Sequence, residues 1–281
     1  ADFKAVTKQG VNGAVFALIA LDSHNYEIPA VSDGKTRTTR ENLIQFILDS
    51  QLSDNGWTFS GDTADVDMTA MTIQALAPYY KTNTVVKTAV DAALALLSDR
   101  QDVNGGYASY GDANSESNAQ VLVALTALGI DPESDVRFLK NGHSVVDALC
   151  AYYVGEGGFS HVADGTVNGL ATTQAYYALA AYARFQKGLT RLYDMSDVDL
   201  KVGAVTDSSN GGTTTPNNGS DGGQTADAAN GANGAGESGR SDAKATNTVK
   251  TGDDAAYLAA GTGFVLAAAA FVVLAKTKKK A

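Results

Sequence analysis

Gln51-Leu52-Ser53-Asp54-Asn55-Gly56-Trp57 decides how this chain is read, because the stretch comes back. Gln101-Asp102-Val103-Asn104-Gly105-Gly106-Tyr107 again sets a glutamine six residues before an aromatic ring, with glycine just ahead of the ring. Tyr153-Val154-Gly155-Glu156-Gly157-Gly158-Phe159 keeps the glycine and the ring but has lost the glutamine. The rings stand 50 and 52 residues apart. A second landmark, Ala75-Leu76, Ala124-Leu125 and Ala178-Leu179, recurs at intervals of 49 and 54, and Ala17-Leu18 stands 58 residues before the first of these. Self-similarity at a fixed period means that one supersecondary unit is being stacked.

Between the glycine-aromatic loops the apolar residues fall at helical spacing. Residues 39–50 carry Leu43, Ile44, Phe46, Ile47 and Leu48 on a crowded face, and 84–100 repeat that type with Val86, Val90, Ala93, Leu94 and Leu97. A second type begins at Asp65, runs through Met68, Met71, Ile73 and Leu76, and stops at Pro78; residues 115–128 and 168–185 repeat it, and 12–21 match it. A first-type helix is expected over 144–154. The second type is apolar nearly all round and should be buried on most sides, whereas the first is more amphipathic. Two concentric rings of helices are implied, an all-α architecture.

Beyond residue 200 the composition changes. Residues 201–248 are Gly, Ala, Asn, Ser, Thr and Asp with almost no bulky apolar side chains. Such a stretch cannot offset its ordering entropy by burial and is expected to be a disordered linker. Residues 255–275 are 21 uncharged residues followed by Lys276-Thr277-Lys278-Lys279-Lys280. That is long enough for a transmembrane helix, and the basic tail places the C-terminus in the cytoplasm with the repeats outside. The chain opens on Ala1 with no export signal, and its first helix matches the second half of a unit. It is expected to be the C-terminal part of a longer protein, with residues 1–200 an N-terminally truncated repeat domain. A net charge of −10 excludes phosphate neutralisation over the folded part, so no nucleic acid is expected as a partner. A lone cysteine, Cys150 in an apolar helical pattern, excludes a disulfide framework.

The Gln51…Gly56-Trp57 and Gln101…Gly106-Tyr107 pattern resembles the Gln-Trp repeat of squalene cyclases and related α/α-toroids. Asp65-Val66-Asp67-Met68-Thr69-Ala70 is similar to the Asp-x-Asp-Asp-Thr-Ala box of class II terpene cyclases, departing from it at Met68. The superfamily includes protein prenyltransferase β-subunits and the corrinoid-binding domain of intrinsic factor and transcobalamin. The resemblance covers roughly residues 10–195 and implies an incomplete α/α-toroid. Lys250-Thr251-Gly252, a span and a basic tail resemble the sorting signal of Gram-positive surface proteins, which a sortase cuts between Thr251 and Gly252, although Thr248-Val249 stands where Leu-Pro is expected. The resemblance therefore implies a cell-surface protein, anchored to the wall or by one membrane span, in the segment 249–281.

The family box implies that Asp67, aided by Asp65, is the general acid of a cyclase. The first turn of a helix, however, favours the carboxylate anion, and protonating an alkene needs a neutral acid. Helix-start carboxylates are the simpler expectation. Ten residues before each Ala-Leu pair stand Asp65, Asn114 and Asn168, and eight before stand Asp67, Glu116 and Leu170. These positions put polar groups along one rim, suited to a large polar ligand or to a cation such as calcium, and equally suited to plain capping. Tyr110, Phe59, Tyr176 and Tyr177 fall outside the repeat motif and are expected to line a central pocket. A prenyltransferase zinc site is not supported: Cys150 has Asp147 three residues before it, and His24, His143 and His161 sit in loops without partners, so no metal is expected. The expectation is a non-catalytic binder of a small or amphiphilic ligand, with no cofactor and a corrinoid as one ligand implied by the resemblance. A lipid-active enzyme using Asp67 and an adhesive or structural surface repeat are the alternatives.

Overall fold

The computed structural model describes residues 1–155 and 157–198. The expected linker 201–248, the sorting-type segment with Thr251 and Gly252, and the expected span 255–275 lie outside the described residues. Among those described, no helix is long and apolar enough to cross a membrane.

Eight helices run in chain order among the described residues: α1 (Phe3–Val6), α2 (Val11–Asp22), α3 (Arg40–Asp49), α4 (Val66–Leu76), α5 (Thr84–Arg100), α6 (Ser115–Ala127), α7 (Val145–Cys150) and α8 (Gly169–Gln186). Short polar side chains start the longer ones. Thr39 and Asn42 form a reciprocal cap at α3, Asn83 accepts from Val85 N and Val86 N at α5, and Asp65, Asn114 and Asn168 cap α4, α6 and α8. Each such cap satisfies backbone N–H groups that have no partner within the helix.

The helices form two rows. In the first, α2 packs on α4, α4 on α6 and α6 on α8; in the second, α3 flanks α2, α5 flanks α4 and α7 flanks α6. Burial follows the row. All residues of α6 from Ser115 to Thr126 are buried, as are nine of the eleven in α4, whereas α2 and α8 bury only one face. The mostly helical expectation therefore holds.

Three findings depart from the sequence reading. The helix expected over 144–154 ends at Cys150, and the chain continues as a bulged hairpin of β3 (Tyr153–Gly155) and β4 (Gly158–Phe159). A second hairpin pairs β1 (Ala108–Ser109) with β2 (Asp112–Ala113). β3 and β4 lie within the third glycine-aromatic stretch, whereas β1 and β2 follow directly on the second, and each hairpin turns at glycines of positive φ, Gly111 in one and Gly155 and Gly157 in the other. At the N-terminus α1 adds an unforeseen element, its Phe3 ring edge-on to Phe46 at 5.9 Å.

The repeated loop works as a staple. Trp57, Tyr107 and Phe159 are buried, and the N–H of each donates to the side chain six residues before the Ala-Leu pair: Thr69 at 3.0 Å, Asn118 at 2.8 Å and Thr172 at 3.0 Å. Gln51 Nε2 donates to Asn55 O in its own loop and to Ala89 O on α5, at 2.9 and 3.0 Å. Gln101 Nε2 repeats this with Gly105 O and Phe138 O, at 2.9 and 3.0 Å. One amide thus closes a loop and ties it to the next unit. Gly105 has to be glycine: its φ is +81° and a Cβ would come within 2.5 Å of Ser144 O.

Candidate functional site

The start of α4 brings the two box carboxylates into different roles. Asp65 is the cap: its Oδ1 accepts from Met68 N at 2.9 Å and its Oδ2 accepts from Ser109 Oγ at 2.5 Å. Asp67, two residues on and still in the first turn, makes no such bond. Its Oδ1 is buried without a partner, and so is the hydroxyl of Ser117 on α6. Burial pushes the Asp67 carboxyl up to about 6; Asp65 and Glu116 add to the rise, while the hydroxyls of Ser117 and Ser109 oppose it. The helix-start argument for a stabilised anion therefore fails at Asp67, because desolvation outweighs the N-terminal dipole.

Glu116 occupies the equivalent place on α6. It is buried, accepts from Ser115 Oγ at 3.0 Å, and its Oε2 lies 2.8 Å from His161 Nδ1. His161, read from the sequence as a loop residue without a partner, is thus held by Glu116 across 45 residues, with its ring half-exposed. The third equivalent, Leu170, is exposed and apolar.

The other expected rim residues are largely committed to the backbone. Asn114 is buried; it accepts from Ser117 N at 2.8 Å and donates to Asp112 O at 2.9 Å. Asn168 accepts from Leu170 N and Ala171 N at 2.9 and 3.0 Å. Tyr110 stands at the tip of the β1–β2 hairpin and is 81% exposed; Phe59 is exposed as well, so neither lines an enclosed cavity. Tyr176 packs edge-on to Phe159 at 5.8 Å and donates its hydroxyl to Gly157 O. Tyr177 belongs to a polar chain that joins three helices. Gln74 of α4 donates to Gln120 Oε1 at 3.0 Å, Gln120 of α6 donates to Gln174 Oε1 at 2.9 Å and to Tyr177 O–H, and Tyr177 of α8 donates to Gln174 at 3.1 Å.

Two clefts lie elsewhere. One of about 600 Å³ runs between α3 and α5 past Gln45, Leu48, Gln51, Val85 and Ala89. The other, about 440 Å³, opens at the far ends of α4, α6 and α8 beside Pro78, Lys81, Leu128, Phe185 and Arg191. No expected ligand residue lines either. Among the described residues no group of three or more His, Cys, Asp or Glu side chains could hold a metal ion, which leaves the calcium alternative without a ligand set there.

Sequence reasoning missed Ser109, Ser117 and His161. Alignment of the loops on their aromatic rings would have found two of them, since the position two residues after the ring is Phe59, Ser109 and His161 in turn. Neither a protein-family model nor a curated protein matches the chain.

Proposed function

We propose that this chain is a ligand-binding module on the α/α-toroid plan, displayed at the cell surface, that takes a small or amphiphilic ligand at the rim where α4 and α6 begin. The toroid reading draws on the two helix rows and on the glutamine staples between successive units. The surface reading draws on the sequence alone: a polar linker, Lys250-Thr251-Gly252, an apolar span and a basic tail.

One observation carries the rim assignment. At the starts of α4 and α6 the capping work is done by Asp65 and Asn114, which leaves the carboxyls of Asp67 and Glu116 free of any capping role. Buried carboxyls that hold no backbone are costly, and such groups gather at functional sites. A corrinoid, suggested by the likeness to the intrinsic-factor domain, is the named ligand to try first. Equilibrium dialysis of the full chain against cyanocobalamin and a panel of polar small molecules is the test. Saturable binding that Glu116→Gln weakens about tenfold supports the reading. Binding indifferent to Glu116→Gln, or none at all, removes the rim from consideration.

A second reading has its own support. Asp67 is pushed up to about 6, so it holds a proton in mildly acidic solution, as a cyclase acid must. Against it stands Met68 in the box. Incubation with squalene decides: cyclised product that disappears in Asp67→Asn would establish an enzyme, and product from that variant would free Asp67 of the acid role.

A further inference from the structure

Two loops bracket the start of α4, and each carries an exposed aromatic ring. Phe59 follows Trp57, whose carbonyl accepts from Asp65 N at 2.8 Å; Tyr110 follows Ser109, whose hydroxyl holds Asp65. Tyr110 and Gly111 form the two-residue turn of the hairpin with φ of 52° and 97°. Asn and Gly suit that turn, and a bulky ring there is strained. An exposed tyrosine is therefore held at this end of the molecule against local preference.

The same end holds Asp65, Asp67 and Glu116. Among the described residues no Lys or Arg forms an ion pair with any of the three, and His161 is engaged by Glu116. Ser117, wholly buried, turns an unpartnered hydroxyl toward Asp67. The carboxyls do not converge as a metal cage does. A cation that needs no tight ligand shell and gains from aromatic faces fits this arrangement: an organic ammonium.

We infer that the rim between α4 and α6 binds a small organic ammonium with an apolar body, its N–H groups on Asp67 and Glu116 and its body against Phe59 and Tyr110. This rests on the rim reading above and adds the charge class of the ligand. A linkage follows. The groups that face Asp67 are Asp65 at its own helix start, Ser109 on the hairpin, Glu116 and Ser117 on α6, and Tyr177 on α8; Glu116 in turn carries His161. None is an Arg or Lys, so a bound ammonium supplies the cation that stabilises the Asp67 anion, and binding below pH about 6 releases a proton.

Calorimetric titration of the full chain at about pH 5, in two buffers of different ionisation heat, reads both affinity and protons. The probes are phenethylamine and its neutral twin, phenethyl alcohol. The expected result is saturable amine binding with proton release, the alcohol binding at least about tenfold more weakly. Asp67→Asn weakens the amine about tenfold and abolishes the proton release. Tyr110→Gly, which suits the same turn, weakens it about threefold and keeps the release. Equal affinity for alcohol and amine overturns the ammonium inference while leaving the rim reading standing. Amine binding untouched by both variants, or no saturable amine binding, also overturns it, and the corrinoid and polar-ligand dialysis then decides the wider reading separately.

Discussion

At Asp67 two effects of known size oppose each other. A carboxylate in the first turn of a helix gains about 0.3–1 kcal/mol from the N-terminal dipole. Burial raises its pKa from 3.8 to about 6, which corresponds to about 3 kcal/mol against the anion, so burial wins. The sign for stability follows from proton binding. Between those two pH values the folded chain holds a proton that the unfolded chain has lost, so stability falls as pH rises through that window and stays low above it. Asp67→Asn is therefore expected to raise the unfolding free energy by about 2 kcal/mol at neutral pH and to change it little at about pH 4. Urea unfolding at both values checks this. A variant less stable than the parent at neutral pH would mean that the anion is held by groups that the geometry does not show.

At the scale of the element, the loop staple has two copies that differ in burial, and that difference is testable. Gln101 is buried and Gln51 half-exposed, yet each amide donates the same pair of bonds. Gln101→Leu strands Gly105 O and Phe138 O away from water and should cost about 2 kcal/mol, whereas water can reach Asn55 O and Ala89 O, so Gln51→Leu should cost about 1 or less. Equal losses in denaturant midpoints would show that the second bond, not burial, sets the value. The staple was legible in the sequence because it repeats: Gln51 and Gln101 announce both the loop and its tie to the next unit. The third copy was less legible. Tyr153 stands in place of the glutamine sequence and leans on Phe159 at 5.4 Å, and the run Cys150-Ala151-Tyr152-Tyr153-Val154 contains no glycine or proline to mark where α7 stops. The Glu116–His161 contact was hidden for a different reason. A period identifies equivalent positions, but these two are inequivalent positions brought together from neighbouring units.

Across the described molecule, each helix of the first row touches mainly its neighbours in that row and the helix that flanks it. Stability in such an array is approximately a sum of unit terms and nearest-neighbour terms, so it need not be uniform along the chain. α6 has α4 on one side, α8 on the other and α7 behind, and every residue from Ser115 to Thr126 is buried. The glutamine chain Gln74–Gln120–Gln174 joins α4, α6 and α8, and Gln120 lies at its centre. α2 and α8 each leave one face outside the core; Phe16 on α2 and Leu170 on α8 are exposed. Native-state hydrogen exchange should therefore rank the helices, with α6 slowest, α4 next, and α2 and α8 opening at a lower free energy. Gln120→Leu removes the central amide and should speed exchange in α8 further while changing α2 little. Uniform protection of the four helices would mean that the array opens in one global step, and the nearest-neighbour account would then fail for this chain.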